Sequence, residues 1–210
     1  VMKIEGDHRY ALAVHEAGHT VVGLHLNHGT YLGTRIVDQV VVAAGVQTGG
    51  CATFEIPMVA RRDSQFYLNY IAVTLAGLAA EEIVLGNRGD GANSDLATAS
   101  RLATAFEVSL GMGSSLVYSS ANDDKELEEL RRLDPALAKR VDRLLQEQFE
   151  RAKTILLERR EFLERLTTVL CEHGMVRPSD LTMLQCLQGI LAEKIESDNR
   201  HDLRNFASEN

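Results

Sequence analysis

The run from Tyr70 to Ala80 constrains the fold of this chain more than any other stretch. It is almost wholly apolar, so a helix built from it has no polar face to turn toward water. We therefore predict that it lies at the centre of the fold, within a longer helix over 59–85. The run is too short to span a bilayer. The chain has 210 residues, 45% of them hydrophobic, which is ample for such a core.

A second helical stretch carries the residues of a metal site. His15, Glu16 and His19 form an H-E-x-x-H pattern in a predicted helix from Asp7, its expected N-cap, to Leu26. Residues four apart lie one above the other on a helix, so both imidazoles face the same way and can hold one Zn²⁺. Glu16 lies about 100° around the helix, where it can act on a metal-polarised water as a general base.

Two features of that helix bear on its surroundings. Gly18 lies in mid-helix, where glycine costs about 1 kcal/mol relative to alanine. Such a glycine is tolerated most easily if another element packs closely against it. The alternative for the whole pattern is an ordinary amphipathic helix with scattered histidines.

Zinc needs a third protein ligand, and the residues alone leave three alternatives. His25 has the six-residue spacing from His19 of one known type of zinc site, but the glycine break comes one residue late. Without that break, His25 lies about 9 Å along the helix axis from His19. Glu81 or Glu82 could reach the metal from a second helix, or could orient a ligand histidine. Asp95 begins a further predicted helix, where an acidic residue commonly interacts only with the helix dipole.

The stretch over 34–54 is rich in valine, isoleucine and threonine, with glycines as breakers. We predict a hairpin with strands near 34–42 and 46–55. It is either a structural flap over the helices or an exposed edge that binds a substrate peptide as an extra strand.

The second half of the chain is charged and has helical periodicity. We expect a helical bundle over 125–196, without a catalytic constellation of its own, and a polar, flexible tail over 197–210. The predicted helices are 125–132, 134–159 beginning at Asp134-Pro135, 160–173 ending at Gly174, and 178–196 beginning at Pro178-Ser179.

Charge and cysteine content indicate the surroundings in which the chain works. A net charge of −8 and the absence of tryptophan argue against nucleic acid as a partner. Cys51, Cys171 and Cys186 are widely spaced and odd in number, which favours a reducing, cytoplasmic compartment. The sequence has no signal-peptide pattern and no G-x-x-x-x-G-K-[ST] loop, so ATP would act only through a module outside this chain.

Four blocks, in order, resemble the peptidase domain of the FtsH-type, AAA-linked, ATP-dependent zinc metalloproteases. They are AVHEAGH at 13–19, GGCATF at 49–54, LAGLAAEEIVLG at 75–86, and GANSDL at 91–96, with Gly111-Met112 further on. The resemblance covers roughly 10–120 and weakens through the helical half. Together the four blocks are far more specific than H-E-x-x-H alone.

This resemblance implies a mainly α fold. A helical zinc-protease half over 1–118 would contain one small β-hairpin and be followed by the bundle half of the same domain. The resemblance implies one zinc per chain, held by His15, His19 and Asp95, with Glu16 as the base. It also implies that Glu81 orients a ligand histidine. The predicted substrate-binding residues are Gly50, Cys51, Ala52, Thr53 and Phe54.

Members of that family form hexameric rings, carry an AAA ATPase module and membrane helices, and degrade membrane and soluble proteins. We therefore expect a zinc-dependent endopeptidase that acts on unfolded or ATPase-delivered polypeptides in a homo-oligomer, hexameric in the full-length protein. Membrane association would come only from segments outside this chain. The alternatives are a non-catalytic zinc module for assembly or regulation, and a helical interaction domain in which H-E-x-x-H is incidental.

Overall fold

A computed structural model describes residues 1–40, 49–58, 62–116, 118–119, 121, 123–181 and 183. The helices are α1 (Gly6–His25), α2 (Ser64–Leu85), α3 (Asn93–Val108), α4 (Asp124–Leu133), α5 (Pro135–Glu158) and α6 (Arg160–His173), with a 3₁₀ turn at Asp90–Ala92. The strands are β1 (Met2–Lys3), β2 (Thr30–Ile36), β3 (Gln39–Val40), β4 (Gly50–Glu55) and β5 (Met175–Val176). The fold is mainly α, as the sequence predicts.

The central element is α2, which packs against α1, α3 and α5. Every residue from Ile71 to Ala80 is buried, so the prediction from its all-round apolar character is confirmed. By length and composition alone α2 could cross a membrane, but here it is the core helix of the domain. It begins later than predicted, at Ser64, because the Asp63 side chain accepts a hydrogen bond from the Phe66 amide and caps it.

The approach of α1 to α2 is close because of a glycine. A Cβ on Gly18 would lie 2.5 Å from the carbonyl oxygen of Ala76, so the expected packing of another element against Gly18 is confirmed. The predicted N-cap is wrong: Asp7 lies in the first turn, and α1 begins at Gly6. The chain enters the helix through Gly6 at φ 57°, a conformation that glycine allows. The helix therefore begins one residue before the predicted N-cap.

The predicted hairpin exists as the antiparallel pair β2–β4, but its strand limits are wrong. The first strand is β2, Thr30–Ile36, and 41–48 lie outside the described residues. The reason is long-range pairing. β3 leaves this sheet and pairs with β1 near the N-terminus, while β5 from the far end of α6 pairs with β2. The sheet order is therefore β4-β2-β5, with β4 at an edge.

The bundle helices lie within two residues of their predicted positions. The Asp134 side chain accepts hydrogen bonds from the amides of Ala136 and Leu137 and begins α5, and Gly174 ends α6 at φ 70°. Most of the predicted 178–196 helix and all of the 197–210 tail lie outside the described residues. α5 packs on α2 and α6 packs on α1, so one continuous apolar core joins the first three helices to α5 and α6.

Candidate functional site

Two helices bring three metal-ligating side chains together. α1 presents His15 and His19 from one face, and the first turn of α3 presents Asp95. The two Nε2 atoms lie 3.0 Å apart, and Asp95 Oδ2 lies 3.0 Å from His15 Nε2 and 3.4 Å from His19 Nε2. His15 and Asp95, which are 80 positions apart in the sequence, are thus in direct contact.

The other nitrogen of each histidine is held by α2. His15 Nδ1 donates to Glu81 Oε1 at 2.6 Å, and the second oxygen of Glu81 accepts from the Gly89 amide at 2.6 Å. His19 Nδ1 donates to the Val73 carbonyl at 2.7 Å. These bonds place a proton on Nδ1 of each ring, so each Nε2 faces the cluster and is the nitrogen that can bind a metal.

These residues fit a zinc ion. Tetrahedral zinc with bonds of about 2.0–2.2 Å separates its ligand atoms by roughly 3.3–3.6 Å, close to the separations of the three donor atoms. Two imidazole nitrogens and one carboxylate oxygen are a donor set that zinc takes. A Cβ on Gly77 would lie 2.5 Å from His15 Nε2 and 2.6 Å from His19 Nε2, so this glycine keeps the space beside the donors open.

The electrostatics of the site favour a cation. Burial by itself lowers the pKa of His15, but hydrogen bonds with Asp95 and Glu81 outweigh it and raise the pKa to about 10. Burial by itself raises the pKa of Asp95, yet the bonds with His15 and His19 hold it well below its usual range. Without a metal, the carboxylates therefore retain a proton on His15, and a divalent cation would take over that positive charge.

Glu16 lies beside the cluster and against β4. It is only 6% exposed, and the Ala52 amide donates a hydrogen bond to its carboxylate. A Cβ on Gly50 would lie 2.7 Å from Glu16 Oε1, so the strand passes directly over this side chain. Burial raises the pKa of Glu16, which makes its carboxylate a stronger base than an exposed glutamate.

The cluster opens into a cleft of about 1060 Å³ between α1, α2 and β4. Of the five residues predicted to bind substrate, Thr53 does not line the cleft, whereas Gly50, Cys51, Ala52 and Phe54 do. β2 pairs with one edge of β4, and no strand within the described part of the chain pairs with its other edge.

The other candidate ligands lie elsewhere. His25 is exposed at the end of α1, and Glu82 pairs with Arg88 and, at 2.8 Å, with Lys153. Sequence reasoning missed the carbonyl of Val73 and the open space at Gly77. A single glycine inside an otherwise apolar helix was the visible signal for that space.

Comparisons with known proteins give a consistent result. The profile of peptidase family M41 matches residues 2–184. The ATP-dependent zinc metalloprotease FtsH of Thermus thermophilus is 35% identical over 178 residues, which cover 78% of this chain and 27% of that protein. The FtsH of Chloroflexus aggregans is 32% identical over 79% of this chain and 27% of its own length. The FtsH of Bacillus subtilis is 29% identical over 91% of this chain and 31% of its own length. The chain spans about a quarter to a third of the length of these curated relatives.

Proposed function

The chain belongs to peptidase family M41, whose relatives described above are zinc metalloproteases, and on this premise we propose that it hydrolyses peptide bonds as a zinc-dependent endopeptidase. The observation that carries the proposal is the position of Glu16, a buried carboxylate between the donor cluster and an edge strand that borders an open cleft. A purely structural zinc site is closed by four protein ligands and has no use for a base.

Each polar residue of the site has a role in this proposal. His15, His19 and Asp95 would hold one zinc per chain, and Glu81 fixes the orientation of His15. Bound zinc would supply Lewis acidity toward the scissile carbonyl and the attacking water. Glu16 accepts the proton of that water and delivers it to the nitrogen of the leaving amine.

The free edge of β4 supports an extended polypeptide as substrate. A peptide that adds to this edge is held mainly through backbone hydrogen bonds from 50–54, so recognition is broad. Only unfolded segments offer a continuous extended backbone. Folded proteins would therefore need an unfolding partner to deliver them to the cleft.

The names of the relatives support a larger assembly. We infer an AAA ATPase module, in cis or in trans, as the partner and the sole route by which ATP acts, because the relatives are called ATP-dependent and are about three times as long as this chain. The working form would be a cytoplasmic homo-oligomer, hexameric in the full-length protein, with any membrane attachment outside this chain. In the proposed organisation 1–118 is the catalytic half and 125–196 is the scaffold for assembly. A strict monomer by light scattering at high concentration would contradict self-association through this domain.

The decisive experiment combines metal content with casein cleavage for the wild type and Glu16→Gln. The amide keeps the size of the side chain but not its basicity, so zinc should stay near one per chain while cleavage falls by roughly 10²–10⁴-fold. The matched control is Glu107→Gln, because Glu107 is equally buried but pairs with Arg140 at 3.0 Å, away from the cleft. That variant should keep its activity.

One outcome would favour the non-catalytic zinc module instead. It is zinc in both the wild type and Glu16→Gln, with neither of them cutting any unfolded substrate even when an ATPase partner is supplied. A chain that binds no zinc at all would favour the interaction domain.

A further inference from the structure

His28 follows α1 and lies in the wall of the same cleft, surrounded by aromatic rings. It is 7% exposed. Its ring centroid lies 4.8 Å from that of Tyr70, 5.9 Å from that of Phe54 and 6.3 Å from that of Phe66. The imidazole therefore forms part of an aromatic wall rather than a polar surface.

The His28 ring also has an unsatisfied polar atom. Its Nδ1 is buried and has no hydrogen-bond partner among the described residues. Burial lowers the pKa of His28, so the ring is neutral near pH 7, with one nitrogen as donor and the other as acceptor. Buried polar atoms are nearly always paired, so an orphan in the wall of a cleft points to a partner that arrives with the ligand.

This wall adjoins the catalytic residues. Val73, whose carbonyl holds His19, lines the cleft together with Tyr70 and His28. On β4, Phe54 is two residues beyond Ala52, the residue that contacts Glu16, so both point to the same side of the strand. A peptide that extends along β4 past Glu16 would carry a side chain against the cleft side of these rings.

We propose that His28, Phe54 and Tyr70 form a side-chain subsite that selects a tyrosine of the substrate on the Phe54 side of the cleaved bond. This inference rests on the proposed peptidase function. An aromatic ring packs favourably against the three rings, and a charged side chain would lose its hydration there. A phenol hydroxyl both donates and accepts, so it can pair with a neutral imidazole in either tautomer. Phenylalanine would fill the same space and leave the imidazole unpaired.

The test uses the full chain loaded with zinc and a set of quenched fluorescent peptides. The peptides are identical except for one residue, tyrosine, phenylalanine or leucine, placed at each position flanking the cleaved bond. Wild type should cut the best tyrosine peptide roughly two- to tenfold faster in kcat/KM than its phenylalanine counterpart, the value of one net hydrogen bond. His28→Phe should bring that ratio to about one. The matched control His25→Phe, at an exposed position that does not line the cleft, should leave the ratio unchanged.

Two outcomes would overturn the subsite: equal cleavage of tyrosine and phenylalanine peptides by wild type, or an unchanged preference in His28→Phe. Circular dichroism checks the fold of that variant, and His28→Leu replaces it with the same expectation if it unfolds. Peptide binding to zinc-loaded Glu16→Gln, followed by fluorescence anisotropy, separates the two proposals. Tyrosine-selective binding without cleavage by wild type would remove the peptidase function and keep the subsite. Cleavage without a preference for tyrosine would keep the peptidase function and remove the subsite.

Discussion

The α1–α2 contact and the layer of α5 and α6 behind it are built by opposite means. Between α1 and α2 the backbones approach at Gly18, the imidazoles of α1 lie against Gly77, and the ionisable side chains of His15, Glu16 and Glu81 are buried. Burying charge is unfavourable unless each group is paired, and here every one of these groups has a partner. This contact is organised for a ligand rather than for stability.

The layer behind it is organised for stability. Leu156, Leu163 and Leu166 are fully buried, and charged residues lie on the outer face, as in the exposed pair of Arg160 with Glu164. Each fully buried leucine contributes about 1.5–3 kcal/mol by removal of apolar surface from water. The comparison suggests a division of labour, in which the apolar burial of α5 and α6 offsets the unfavourable burial of polar side chains at the candidate metal site. The following substitutions test that division, beginning with the largest expected effect.

Asp95→Ala should abolish both zinc binding and cleavage while the fold persists. The substitution removes the only oxygen donor of the cluster and leaves two imidazoles, too few for a stable site. Metal analysis after dialysis measures the loss, and His15→Ala and His19→Ala should behave alike. Asp90→Ala, an exposed acidic position in the 3₁₀ turn just before α3, is the control and should keep its zinc. Full zinc occupancy and intact cleavage in Asp95→Ala would contradict the assignment of Asp95 as the third ligand.

Leu163→Ala should lower the free energy of unfolding by about 2–5 kcal/mol, because it opens a cavity in the bundle layer. Zinc content and kcat, measured per folded molecule, should not change. Leu157→Ala, at a position that is 53% exposed, should change the free energy of unfolding by about 0.5 kcal/mol or less. If Leu163→Ala lowers kcat of the folded fraction, the two regions are not separable.

Glu81→Gln should weaken zinc binding by roughly 10–100-fold, because His15 loses its charged partner. Competition with a chromophoric chelator measures the affinity. Glu82→Gln is the neighbouring control and breaks only the ion pairs with Arg88 and Lys153. Equal zinc affinities in the two variants would show that Glu81 has no special role in orienting His15.

Asp134→Ala should cost about 1 kcal/mol of stability and nothing in zinc affinity. It removes the side chain that accepts the first amide hydrogen bonds of α5. Urea titration resolves a change of this size, with Asp142→Ala on the exposed face of the same helix as the control. A loss of zinc in Asp134→Ala would mean that the start of α5 positions the site, contrary to the division of labour.

Sequence reasoning succeeded where the determining signals are local. The start of α5 at Asp134-Pro135 and the end of α6 at Gly174 follow from a cap and a glycine that act within a few residues. It missed β1 and β5, and it missed the pairing of β3 with β1, because nothing in a strand of two residues indicates its partner. The N-cap of α1 failed for a similar reason, since either Gly6 or Asp7 could mark the break.

The site shows the same limit. The i, i+4 spacing of His15 and His19 predicts a shared face, and the structure brings both nitrogens within 3.0 Å. The residues alone could not choose Asp95 over Glu81, because both lie more than 60 positions from His15 along the chain. The resemblance made that choice, and the geometry supports it. His28 was absent from the candidates because an isolated histidine carries no spacing signal.

The pairing of β5 with β2 affects the order in which the parts of this protein fold during synthesis. Val176 lies opposite Thr34, and its carbonyl accepts a hydrogen bond from the hydroxyl of Tyr31, 145 positions earlier. Contacts so distant along the chain form late, because the intervening segment must first be ordered. During synthesis, the sheet that carries β4 cannot be completed until residue 176 has left the ribosome. A nascent chain that already exposes its histidines would therefore still lack the completed sheet whose strand β4 borders the cleft.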